Sequence, residues 1–97
     1  DYPVQVAGKI VDETTNENDL IIGCIWGGPE LLYYSNRRGW VMDSNRCSIE
    51  YIEICRQQGA DYFVTTQQDT IDSSVLDDIK DKYEVIRATN EYLIVRL

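Results

Sequence analysis

Ninety-seven residues, 43% hydrophobic and 10% aromatic, make one small domain with enough apolar surface for a packed core, which excludes intrinsic disorder. Seventeen acidic against nine basic side chains leave a net charge of -8, the wrong sign for tracking nucleic-acid phosphates or adsorbing to an anionic bilayer. No apolar run approaches the roughly 20 residues that span a membrane, and a start at Asp1 without Met, signal peptide or basic leader reads as a segment excised from a longer protein.

Val4, Ala7, Ile10 and Val11 recur at helical spacing after Pro3, which predicts a helix over residues 3 to 14. A polar loop then leads into Leu20-Ile21-Ile22-Gly23-Cys24-Ile25, a continuous apolar run of the kind found in buried parallel strands. Trp26-Gly27-Gly28-Pro29 breaks that run, and Pro29 suits the first turn of a helix over Glu30 to Ser35. Gly39-Trp40-Val41-Met42 is a short second strand at an edge. Asp43, Ser44, Asn45 or Ser48 can cap the next helix, whose Ile49, Ile52 and Cys55 share a face and whose stop is Gly59. Ala60 to Thr66 is a third strand. Thr70 is the expected cap of a helix with Ile71, Val75, Leu76 and Ile79 inside and Asp72, Asp77, Asp78 and Asp81 on a solvated face. Tyr83 to Ala88 and Tyr92 to Leu97 close the chain as an antiparallel hairpin.

This alternation predicts a single α/β domain over residues 1 to 97: a small, mostly parallel sheet flanked by helices on both faces and ending in that hairpin. The strand at Leu20 is expected in the centre, with the Trp40 strand on one side and the Phe63 strand and hairpin on the other. Ligands of such sheets favour the crevice beyond the carboxyl ends of the strands, here Trp26 to Pro29 and Thr65 to Gln68.

The absence of histidine excludes histidine general bases, Ser-His-Asp and Cys-His catalysis and histidine-ligated zinc. Cys24, Cys47 and Cys55 form no CxxC pair. If Cys47 and Cys55 share a helix they lie about 12 Å apart along it, too far to bridge; Cys24 can meet either of them only through the fold, and isolated core thiols are the simpler expectation. Neither the GxGxxG nor the GxxxxGK[ST] phosphate fingerprint occurs, and the acidic residues lack the spacing of an EF-hand, so no cofactor and no metal are expected. Nothing selects a catalytic pair among the seventeen acids, so no catalytic residue is assigned.

Trp26 and Trp40 have faces suited to stacking on sugar rings, against the commoner fate of burial. Tyr33 and Tyr34 diverge by about 100° on a helix, so they cannot both face the core. Arg37 and Arg38 are an adjacent basic pair suited to phosphate or carboxylate, against a structural role at a helix end. Trp26, Gly27, Gly28, Tyr34, Arg37, Arg38 and Trp40 are therefore the candidate contact residues.

Pro29-Glu30-Leu31-Leu32-Tyr33-Tyr34-Ser35-Asn36-Arg37-Arg38-Gly39-Trp40 resembles a stretch from bacterial multi-spanning membrane glycosyltransferases similar to dolichyl-phosphate-mannose-protein mannosyltransferases. The match centres on Leu-Tyr-Tyr-Ser and Arg-Arg-Gly-Trp after an apolar strand ending in Trp-Gly, and it extends loosely to Ala60 to Val64 and the terminal hairpin. It implies a soluble extracytoplasmic domain following the last membrane helices of a parent that moves sugar from a polyprenyl-phosphate donor. The catalytic acid of that family lies in a membrane-side loop, and no position here matches it. The expected function is thus a non-catalytic accessory domain. Its expected partners are the membrane-embedded part of the same chain and a sugar or lipid-phosphate ligand. The alternatives are a free-standing α/β ligand-binding or regulatory module, or a small enzyme.

Overall fold

Val4, Ala7 and Val11, three and four residues apart, form the buried stripe of helix α1 (Tyr2–Thr14). A computed structural model of the protein describes residues 2–26 and 30–97; Gly27 and Gly28, two of the candidate contact residues, lie outside them. The end of α1 is tied down by Thr14 and Thr15, whose hydroxyls donate to the carbonyls of Ile10 and Val11 at 2.6 and 2.7 Å.

Strand β1 (Leu20–Cys24) is followed by helix α2 (Glu30–Ser35) and strand β2 (Arg38–Met42). A 3-10 turn at Ser44–Arg46 precedes helix α3 (Ile49–Gln57) and strand β3 (Ala60–Thr65). A second 3-10 turn at Gln68–Thr70 leads to helix α4 (Ser73–Lys82), and strands β4 (Glu84–Ala88) and β5 (Leu93–Arg96) form the hairpin. Of the four residues suited to cap α3, Ser48 does so, accepting from the Tyr51 amide at 3.1 Å. The expected cap of α4 is corrected: Thr70 ends the 3-10 turn, and Asp72 Oδ1 accepts from the Ser74 amide at 2.9 Å.

The five strands form one sheet in the order β2-β1-β3-β5-β4. Its β2-β1 and β1-β3 pairs are parallel, and its β3-β5 and β5-β4 pairs antiparallel, so the sheet is mixed rather than mostly parallel. The reason lies in the hairpin. Leu93, Ile94 and Val95 are all buried while β4 is largely exposed, so β5 rather than β4 is drawn in beside β3, and it runs back against β3. The β4-β5 register shifts between Val85 and Arg87.

Neighbouring residues of β1 enter different cores, as the two-residue period of a strand requires. Ile21 joins Val4, Ala7, Val11 and Leu31, from α1 and α2. Ile22 joins Ile52 and Cys55 of α3, Ile79 of α4, and Phe63.

Candidate functional site

The candidate contact residues are distributed rather than gathered. β1 and β2 run parallel with Leu20 opposite Arg38 and Cys24 opposite Met42. Arg38 therefore starts its strand at the amino end of the sheet, while Trp26 lies beyond the carboxyl end of β1, more than a strand length of about 13 Å away. Trp40 is half-buried against the core that contains Ile22. Tyr34 sits on α2, where its hydroxyl accepts from Gln5 of α1 at 3.3 Å and its ring meets that of Tyr33 edge-on at 5.3 Å.

Arg37 is a structural residue, not a surface cation. It is 7% exposed. Its Nη1 meets Asp12 Oδ1 at 2.8 Å and the carbonyls of Asn36 and Ser35 at 3.0 and 3.2 Å. Nη2 donates to the carbonyls of Thr15 and Asp12, and Nε to Thr15 Oγ1. Every guanidinium edge is occupied, which leaves no donor for a phosphate or carboxylate ligand. The left-handed backbone of Asn36, at φ 57°, turns the chain so that Arg37 enters this nest of carbonyls at the end of α1.

Arg38, by contrast, is exposed and lines a depression of about 430 Å³ with Glu17, Asn18, Asp19, Leu20 and Asn36. Glu17 and Asp19 share that wall, so their carboxylates oppose an anionic ligand and offset the attraction of the single guanidinium.

The carboxyl end of the parallel strands holds a second, denser arrangement. Gln67 spans it: its Oε1 accepts from the Trp26 amide at 2.7 Å and from Ser44 Oγ at 2.9 Å, which ties the exit of β1 to the turn after β2. Thr65 Oγ1 donates to the Cys24 carbonyl at 2.6 Å and accepts from the Gln67 amide at 3.1 Å. Trp26 is 68% exposed beside this bridge. Cys24 closes β1 fully buried, and the half-buried Cys47 packs against the same core. A depression of about 440 Å³ is lined by Met42, Asp43, Arg46, Ser48 and Tyr51 among others.

The expected crevice at Trp26 and Thr65 to Gln68 thus carries a bonded network, although Gln67 and Ser44 were not distinguishable in the sequence. No spacing relates positions 26, 44 and 67; only the strand order does. Among the described residues there is no group of three acidic or sulfur side chains placed to hold a metal ion.

No family model, curated protein or solved structure matches the chain. What the molecule does has to be read from these residues, and they separate into those that folding accounts for and those that it does not. Leu31, Ser35 and Arg37 are buried, whereas Tyr33 is 80% exposed and Trp26 projects from the opposite end of the sheet.

Proposed function

We propose that this chain is a non-catalytic accessory domain of a polyprenyl-phosphate-sugar-dependent membrane glycosyltransferase, borne on the extracytoplasmic face of a bacterial membrane. It docks on the membrane-embedded part of its own parent chain. In this reading α1 with α2 covers one face of the sheet and α3 with α4 the other, which the partition of Ile21 and Ile22 between two cores supports.

The observation that carries the proposal is the exposure of Tyr33. Within the stretch that resembles the glycosyltransferases, Leu31, Ser35 and Arg37 are buried in the packing of α2 on α1, whereas Tyr33 is largely exposed and its ring meets that of Tyr34 edge-on. A rigid aromatic ring with a polar tip contributes binding free energy when a partner excludes water from it.

Three measurements test the reading. In the full reading frame the chain should follow several apolar segments of about 20 residues, and Tyr33→Ala in that full-length protein should lower sugar transfer severalfold while leaving its thermal midpoint unchanged. The 97-residue chain alone, given a polyprenyl-phosphate sugar and an acceptor, should yield product only at the background rate. Turnover above background by the isolated chain, or a frame without apolar segments, would overturn the proposal and favour the ligand-binding module.

A further inference from the structure

Asp43 and Arg46 stand at the two ends of the 3-10 turn after β2, a spacing that brings side chains to one side, and both line the depression of about 440 Å³ beyond the carboxyl end of β2. They do not pair. Arg37, Arg56 and Arg96 meet carboxylates at 2.8, 3.0 and 3.1 Å, whereas among the described residues neither Asp43 nor Arg46 enters an ion pair or a side-chain hydrogen bond. Asp43 holds the cap position of the turn without capping it, and both residues are exposed. The backbone that bears them is nevertheless fixed. Ser44 between them is fully buried and donates to Gln67 Oε1 at 2.9 Å, and the amides of Arg46 and Cys47 donate to the carbonyls of Asp43 and Ser44.

We propose that this depression binds a free α-amino acid with an apolar side chain. A simple anion would meet the carboxylate of Asp43 and a simple cation the guanidinium of Arg46, so the wall favours a small molecule that carries both charges. This inference does not depend on the accessory role proposed above.

Each part of such a ligand has a counterpart on the wall. The carboxylate pairs with Arg46 and takes a hydrogen bond from Ser48, whose Oγ already accepts from the Tyr51 amide at 3.1 Å and so keeps its own proton for a ligand. The ammonium pairs with Asp43. The side chain covers Val41, Met42 and the ring of Tyr51, the apolar part of the lining, and takes the exposed Val41 and Tyr51 out of water. The volume lies within the range of about 300 to 1,000 Å³ usual for small-molecule sites. The position, past the end of a parallel strand, is where α/β sheets place their ligands.

The test is to titrate the full chain with L-leucine, L-methionine and L-phenylalanine, following amide chemical shifts. At least one should saturate with a Kd below about 10 mM and move the amides of residues 41 to 51 most. Two analogues of that amino acid probe the charges on the wild type, with no substitution needed: its amide, which lacks the carboxylate, and the acid that lacks the amino group should each bind about tenfold or more weakly. Arg46→Gln should bind the amino acid and its amide equally, and Asp43→Asn the amino acid and the deaminated acid equally, both with unchanged thermal midpoints. Saturation by none of the three, shifts centred elsewhere, analogues that bind as tightly as the amino acid, or variants that keep the wild-type discrimination would overturn the proposal.

Discussion

Arg37 Nη1 and Asp12 Oδ1 meet at 2.8 Å, and this pair is the polar anchor of the α1–α2 junction. The arginine side chain is 2% exposed and the aspartate 45%, so the pair is buried on one side only. Replacing Arg37 with Ala strips partners from the carbonyls of Asp12, Thr15, Ser35 and Asn36 as well as from the carboxylate. The expected loss is about 3 kcal/mol. Arg37→Lys should recover only part of it, since an ammonium cannot reproduce the planar fork. Arg38→Ala should stay within about 0.5 kcal/mol. Denaturant midpoints of the three variants give the order directly.

Three glycines should rank by what a Cβ would meet. At Gly39, with φ 153°, it would lie 1.7 Å from the backbone oxygen of Ile21, its register partner in β1. At Gly8 it would fall 2.5 Å from Tyr34 Cβ and 2.7 Å from the Tyr34 backbone carbon, where α1 crosses α2. Neither neighbour can withdraw without moving backbone, so alanine at either site should cost about 2 to 3 kcal/mol or more. At Gly23 the nearest atom is Leu31 Cδ2 at 3.3 Å, the free end of a side chain, and alanine should cost about 1 kcal/mol or less. Thermal midpoints should fall in that order.

Glu53 gives the fold a defined acid response. Hydrogen bonds from Arg56 and Tyr83 hold its carboxyl down at about 2, against an ordinary value of 4.5. Because the folded value is the lower one, the stabilisation is fully present above 4.5 and is lost as pH falls towards 2. Wild type should therefore exceed Glu53→Gln by a constant margin from pH 7 to about 5, and the margin should close on further acidification. A margin that stays fixed down to pH 2 would show that the charge of Glu53 is irrelevant to stability.

Adjacent threonines should respond oppositely to the same substitution. Thr65 Oγ1 is fully engaged, donating to the Cys24 carbonyl and accepting from the Gln67 amide, so Thr65→Val should cost about 1 to 3 kcal/mol. Thr66 Oγ1 is buried with no hydrogen-bond partner among the described residues, so Thr66→Val should be neutral or stabilising. Urea titrations of the two variants separate these outcomes.

The elements that were legible in the sequence are those whose burial leaves a periodic trace. Leu20 to Cys24 reads as a central strand because its two faces enter two cores, and the stripe of Val4, Ala7 and Val11 marks α1. Strand direction left a weaker trace. A hairpin after a crossover helix can place either of its strands beside β3, and only the contrast between Leu93-Ile94-Val95 and the exposed β4 decides that β5 goes inside. The start of α4 was obscured because Thr70 and Asp72 are both good caps, and the 3-10 turn over Gln68–Thr70 assigns the role to Asp72. Of the candidate contacts, the adjacency of Arg37 and Arg38 suggested one basic patch, yet consecutive residues at the start of a strand face opposite ways. One guanidinium turns into the carbonyls at the end of α1 and the other into solvent.

The register shift between Val85 and Arg87 also governs how the molecule meets copies of itself. β4 is an outer strand of an open sheet, and an unbroken outer strand is a template on which another chain can extend the ladder. A bulge interrupts the even run of amides and carbonyls and increases the local twist, and the charged Glu84 and Arg87 add to the mismatch that an incoming strand would meet. The opposite border, β2, pairs with β1 without a shift across all five of its residues. Growth of the sheet by strand addition, the route to fibrous aggregates, is therefore obstructed along one border, and β2 is the more regular template of the two.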